Sequence, residues 1–232
     1  NVLKTIRTDF RNPDGEFYAH GKYPDDTYNP EPTVMPAVPM LFGQLEPAAV
    51  KGMLRAYASN EFSSDWGTRI IGASGRNFNP LGYHTGSIWP LYTGWTSLAE
   101  YRYGLDLQGY THLMDNVLVY RDWALGFAEE VLHGEVYTPR GVCSHQGWSE
   151  TMVIQPVLEG MLGLEPDALE HRLKLTPVFP AGWDSLELRN LRVGGHTLDF
   201  SMVSEEGVIR YQFTHRGPRA LNLEFTPGIP GF

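Results

Sequence analysis

Apolar positions through the first two-thirds of the chain recur every three or four residues, as on one side of a helix. In the last third they alternate every second residue, as in half-buried strands. Helical spacing begins near Thr33, where Val34, Ala37, Val38 and Leu41 share a face that Pro36 and Pro39 keep short or kinked. Pro47 suits the first turn of a second helix, with Val50, Met53, Leu54 and Tyr57 as its buried stripe. Ile88, Leu91, Tyr92, Trp95, Leu98 and Ala99 predict a third helix, ending near Gly104. Asp106 can cap a fourth, with Leu113, Val117, Tyr120, Ala124 and Phe127 as its stripe and Glu130 delivered by its C-terminal end. Ser144 is placed to cap a fifth helix bearing Ile154, Val157, Leu158, Met161 and Leu162, interrupted by Pro156 and closed by Gly163.

Between these segments the pattern breaks. Residues 1–32, rich in Pro, Gly, Asp and Tyr with a turn signal at Asn12-Pro13-Asp14-Gly15, predict loop and a hairpin. Residues 60–87 form a long connection too polar and Gly-rich for regular structure, yet they hold Trp66, Arg69, Tyr83 and His84; loops of that length are commonly functional. From about Glu165, alternating runs at 185–188, 197–202, 208–213 and 221–225, separated by Gly-containing turns, predict a small antiparallel sheet. The expected fold is mainly α, in three parts: an irregular segment 1–32, a helical region 33–164 and a β-rich region 165–232.

Composition narrows the function. With 232 residues, 42% hydrophobic, the chain can bury a sizeable core. Its net charge of −9, without any Lys/Arg run, argues against nucleic acid or anionic membranes as partners and leaves a neutral substrate easier to accept. One cysteine, Cys143, excludes an internal disulfide. No metal-ligand spacing, phosphate loop or Gly-x-Ser-x-Gly occurs, so neither a metal nor a cofactor is expected. His112, His171, His196 and His215 stand in surface-like or strand contexts that suggest no role. Asn1-Val2-Leu3-Lys4 lacks an initiator Met and a signal-peptide pattern, so the chain reads as a piece of something longer or a processed product, its compartment open.

The stretch richest in chemistry is 129–163. Glu129, Glu130 and Glu135 lie in a loop punctuated by Gly and Pro, and Ser144-His145-Gln146-Gly147-Trp148-Ser149 opens the last helix. Carboxylates on a loop held by helices can do acid/base work, and an exposed Trp beside Gln and His offers a stacking face with hydrogen-bonding handles. Sugars use both.

These residues resemble the end of the catalytic domain in the glycogen-debranching (amylo-α-1,6-glucosidase) family and its relatives among the inverting glycosidases with an (α/α)6 toroid. Glu130-Val131-Leu132-His133-Gly134 is similar to that family's Pro-Glu-Leu-x-x-Gly loop, with Glu129 in place of the Pro. Cys143 to Ser149 is similar to its Cys-x-x-Gln-Ala-Trp-Ser, with Gly147 in place of the Ala, and the 18-residue step from Glu130 to Trp148 is also similar. Tyr83-His84-Thr85-Gly86-Ser87-Ile88-Trp89-Pro90 resembles the family's Tyr-His-x-Gly-x-x-Trp-Pro, and Trp66-Gly67-Thr68-Arg69 its Trp-Gly-x-Arg. Glu135-Val136-Tyr137 resembles the Glu-x-Tyr around the base of trehalases, which keeps Glu135 as an alternative to Glu130.

The resemblance implies an inverting glycoside hydrolase with Glu130 as the base, and Trp66, Arg69, Tyr83, His84, Trp89, Gln146 and Trp148 against a carbohydrate. Inversion needs a second carboxyl group about 6.5–9.5 Å from the first. The family's acid lies further upstream than residues 1–129 reach; Asp65 is the best candidate inside the chain. The helices amount to about half of a ring. A missing N-terminal half or a companion chain is therefore expected to cover an apolar face including Val50, Leu54 and Leu98. The other reading from these residues is a non-catalytic carbohydrate-binding or assembly module; within enzymes, a trehalase-like or α-L-rhamnosidase-like activity competes.

Overall fold

A computed structural model describes residues 2–12, 17–122 and 126–228; most of the Asn12–Gly15 turn and Ala124 of the fourth stripe lie outside these. The chain forms two compact units, Asn1–Gly160 and Met161–Phe232.

The first unit contains α1 (Val2–Asp9), α2 (Ala37–Leu41), α3 (Pro47–Tyr57), a hairpin of two short strands β1 (Ser63–Ser64) and β2 (Gly67–Thr68), then α4 (Pro90–Arg102), α5 (Asp106–Val119) and α6 (Gly147–Gln155). Helix α4 is the hub, packed against α2, α5 and α6. Its sequence suits that place because its buried residues are mostly small: Thr93, Thr96, Ser97 and Ala99 are fully buried. Gly94 lets Met152 of α6 come so close that a Cβ there would sit 2.4 Å from that side chain. The buried hydroxyls are satisfied locally, Thr93 and Thr96 by carbonyls one turn back and Ser97 by the carbonyl of Gly109 on α5 at 2.6 Å. A helix buried on several sides needs no single greasy stripe. Leu91, Tyr92 and Trp95 are accordingly only half-buried, and the small face carries the contacts.

A π-helical turn, Pro156–Met161, follows α6, since Pro156 cannot supply an N–H to continue the α ladder. The second unit consists of strands β3 (Leu164–Asp167), β4 (Arg172–Leu175), β5 (Ser185–Val193), β6 (His196–Glu205), β7 (Val208–Arg216) and β8 (Asn222–Phe225). They form two three-stranded sheets, β3-β4-β8 and β5-β6-β7, joined by an aromatic cluster in which Phe213 of β7 lies 5.0 Å from both Phe200 of β6 and Phe225 of β8.

Several expectations are corrected. The fold is mixed α/β rather than mainly α: among the described residues six helices account for 30% and strands in three sheets for 25%. The cause is that the prolines at 36 and 39 confine α2 to five residues, and that the connections on either side of α4 and α5 run extended instead of coiling. The strands do not make one antiparallel sheet, because β8 returns to pair parallel with β4. Residues 2–9, expected as loop, are the helix α1. Asp106 begins α5 without capping it, and the helix stops at Val119, well before Glu130. Its buried face is partly polar, with His112, Asp115 and Asn116 inside beside Leu113 and Val119. Ser144 does not cap α6 and Ile154 points outward at 61% exposure. Val50, Leu54 and Leu98 offer no face to a companion, since the unit's own core buries all three.

His196, read as having no role, is buried inside the sheet rather than on its surface. His196 is buried on β6, with Nε2 2.8 Å from Nδ1 of His171 and Nδ1 2.9 Å from Nε2 of His215, so three imidazoles form a chain between the two sheets. Burial first, then the proximity of His171, His215 and Arg219, holds the His196 pKa below its ordinary value. A base whose folded pKa is depressed binds fewer protons folded than unfolded, so stability is complete above about pH 6.5 and falls as the pH drops below it. Thermal unfolding of the chain followed against pH should show the Met161–Phe232 unit weakening through that window, and His196→Gln should flatten the dependence.

Candidate active site

The site is built by loops that zip together beside α4. Ile88 and Leu132 exchange both backbone hydrogen bonds, at 3.0 and 2.8 Å, and their buried side chains pack with Val119 under the ring of Trp66. Isolated bridges extend this pairing sideways to Arg69 on one flank and Pro139 on the other. From there residues 128–146 run as an irregular antiparallel ribbon: His133 N–H donates to Thr138, Arg140 N–H to Val131, Glu130 N–H to Cys143 and Gln146 N–H to Ala128. The ribbon converts sequence separation into adjacency. Glu130 lies opposite Cys143, and Trp148 begins the helix at the ribbon's end.

Glu130 is 6% exposed, and the Tyr83 hydroxyl donates to its Oε1 at 2.6 Å. That hydrogen bond, then burial and the carboxylate's charge, raises the Tyr83 pKa to about 12, so the phenol remains a donor throughout the neutral range. Tyr83 in turn packs edge-on to Trp89 at 4.5 Å, His84 stacks on Trp89 at 5.7 Å, and Trp89 lies 6.4 Å from Trp148. The two tryptophans differ in kind. Trp89 is 4% exposed, a core residue whose indole N–H is used by the carbonyl of Tyr83, whereas Trp148 is 44% exposed and offers a free ring. Gln146 caps α6, its Oε1 accepting from the N–H of Gly147. It takes the place expected for Ser144 because the ribbon's pairing continues through Gln146, and no helix can begin before it ends.

The remaining candidates gather at the ribbon's other end. Trp66 donates its indole N–H to the carbonyl of His133 at 2.9 Å and tilts against Tyr137. Arg69 spreads its guanidinium over the carbonyls of Gly134, Asn60 and Ser63. Glu135 is exposed at the ribbon's tip, its N–H donating to the ring of His133. Asp65 shares with Trp66 the two-residue loop joining β1 to β2, and is exposed. The structure thus brings Tyr83, His84, Trp89, Trp148 and Glu130 into one array, and Trp66, Arg69 and Glu135 into another.

Three further groups, which the sequence offered only as a loop carboxylate, a stripe residue and a histidine without a role, lie at or near the site. Glu129 is buried beside Glu130, with Oε2 unpartnered among the described residues, and burial raises its pKa. Tyr92, which helical spacing placed on the α4 stripe, packs on Trp89 at 5.5 Å, one turn along the helix. His112 is fully enclosed by α4, α5 and β1, for which the sequence carries no signal.

No family model matches the sequence, and no curated protein does. Among solved structures the chain is similar to glycoside hydrolases of the six-hairpin (α/α)6 clan. The particular structures are those of the GH63 mannosylglycerate hydrolase from Thermus thermophilus. In complex with glucose it matches at TM-score 0.53 and 14% identity over 62% of this chain and 35% of that one; in complex with Tris, at 0.52 and 12% over 62% and 34%. The chain therefore spans about a third of that enzyme's length. At this identity the likeness is one of fold.

The seat of the ribbon is tight enough to test. A Cβ on Gly134 would lie 2.2 Å from the carbonyl oxygen of Gly86, which is backbone and cannot swing away. Gly134→Ala should cost about 1–3 kcal/mol of stability, as overpacking does elsewhere. Urea unfolding measures the loss, and the Trp66 and Arg69 contacts to the ribbon should loosen with it.

Proposed function

We propose that this chain contributes the base side of a glycoside hydrolase active site, with Glu130 activating the water that attacks the anomeric carbon. The observation that carries the reading is the Glu130 carboxylate, which accepts the Tyr83 hydroxyl at 2.6 Å at the foot of an aromatic array ending in the exposed ring of Trp148. A base must keep an acceptor oxygen for water, and the hydrogen bond to Tyr83 fixes the carboxylate while engaging only one of its two oxygens. Trp148 supplies the ring against which a pyranose packs, with the exposed His84 as a hydrogen-bonding group. The fold shared with the GH63 hydrolase supports the same class.

The finer reading is hydrolysis of an α-glucosidic or related bond by inversion, of the debranching type that the motifs at 83–90 and 143–149 resemble. Glu135 is the less favourably placed candidate, because it is exposed at the ribbon's tip and away from the aromatic array. In active enzyme, Glu130→Gln should lower turnover by about 10²–10⁴-fold with KM little changed, the share expected of a general base. Kinetics of Glu130→Gln and Glu135→Gln side by side distinguish them; loss in the Glu135 variant alone would overturn the assignment.

The acid completes the proposal. Inversion requires a protonated carboxyl opposite the base, and we place it outside these residues, in an N-terminal half of the same enzyme or a companion chain. Support comes from the motif order and from the chain spanning about a third of the GH63 enzyme. The 232-residue chain, verified free of other polypeptides, should therefore not turn over α-glucosides until the remainder is added. Turnover by the chain alone, abolished by Asp65→Asn, would make Asp65 the acid. Saturable binding of a maltooligosaccharide with no turnover in either state would favour the binding-module reading.

A further inference from the structure

The imidazole of His112 is engaged on both sides. Nδ1 lies 2.6 Å from Oε2 of Glu100 on α4, and Nε2 lies 3.2 Å from Oγ of Ser63 on β1. The His112 and Glu100 side chains are 2% and 0% exposed, so neither exchanges its partner for water. Ser63 leads directly into the Asp65–Trp66 loop, and Trp66 reaches on to the carbonyl of His133, three residues from Glu130. An unbroken line of hydrogen bonds and covalent chain thus runs from the hub helix to the ribbon that bears the proposed base.

From this line we propose that His112 is a positioning residue, which clamps the Asp65–Trp66 hairpin to the α4–α5 pair and through it fixes the wall of the site beside Glu130. The catalytic consequence rests on the function proposed above; the clamp does not. Two long helices give a rigid base, whereas a hairpin of two-residue strands has little stability of its own. The polar anchor also accounts for a histidine on the buried face of α5, where Asn116 has a separate task, donating to the carbonyls of Pro90 and Met152.

The charges around the clamp are consistent. Burial works against a proton on His112, but the Glu100 carboxylate, its hydrogen bond and Asp115 outweigh it and raise the pKa. Burial raises Glu100 too, with His112 opposing. Asp115 is pushed up to about 7, by burial first, with His112 opposing and Asp65 and Glu100 adding to the rise.

The test reads the hairpin directly. In the intact chain, hydrogen exchange at the Trp66 indole N–H, assigned by its loss in Trp66→Phe, reports whether the hairpin is held against His133. Ser63→Ala deletes the hairpin-side contact and leaves the buried Glu100–His112 pair whole, so it should speed Trp66 exchange by about tenfold, the weight of one hydrogen bond, while exchange at Trp95 and the urea midpoint change little. His112→Gln, which keeps a donor and an acceptor, should restore part of the protection that His112→Leu removes. Unchanged Trp66 exchange in Ser63→Ala, or equal acceleration at all tryptophans, would overturn the clamp and leave His112 as core. In active enzyme Ser63→Ala should lower kcat more than it raises KM; a chain with no activity under any condition would refute the catalytic reading, and the indole measurement would still decide the clamp.

Discussion

The pair of hydrogen bonds between Ile88 and Leu132 is the constraint on which the first unit's functional geometry depends. Helices α4 and α5 pack together without needing the long connections around them, and those connections are too polar and Gly-rich to hold a shape alone. Joining them at one buried residue pair sets the register of everything beyond it. On one strand the pairing positions Trp89 and the start of α4, and on the other it places Glu130 two residues back and Gly134 two residues on. A one-residue slip would turn Glu130 from the Tyr83 side and bring Val131 there instead. The seal over the pair by Val119 and Trp66 excludes water that would otherwise compete for those two bonds.

Around that pair, side chains divide between holding and presenting. Arg69 spends its guanidinium on three carbonyls and Trp66 its indole N–H on a fourth, which satisfies loop backbone that no ladder could reach. Trp89 is likewise committed, buried with its N–H bound to Tyr83. Trp148, His84 and Tyr83 remain exposed. A ring already fixed from behind by another ring loses little freedom when a ligand packs on it, so in the proposed site Trp89 braces the exposed rings rather than meeting the ligand itself.

Much of this was legible, and the failures have physical causes. The onset of α3 could be read because Pro47 begins a helix where a missing N–H costs nothing, whereas α4 starts at Pro90, two residues after the Ile88 assigned to its stripe, because Ile88 is paired with Leu132. Strands β5 to β7 could be read because alternation is a local property. The parallel return of β8 to β4 could not, since partner choice between strands far apart leaves no local trace. The stripe of α5 was misread because its buried face is partly polar: His112 looks like a surface residue until Glu100 and Ser63 are known to enclose it. At the site, the motifs gave the residue types that gather around Glu130, but periodicity placed that glutamate at a helix end where the chain in fact runs as a ribbon.

That last difference bears on how such a site can be exact. A carboxylate at a helix terminus inherits the fraying of the final turn. On the ribbon, Glu130 is held by its own N–H to Cys143, by the Val131 carbonyl next to it accepting from Arg140, and by Tyr83 at its side chain. Three constraints from two segments, the ribbon strand at 140–143 and the loop bearing Tyr83, fix one carboxylate, and each segment is one that the Ile88–Leu132 pair has already brought into place. Precision here arises from cross-bracing between irregular segments, with the helices supplying the floor against which the bracing is tied.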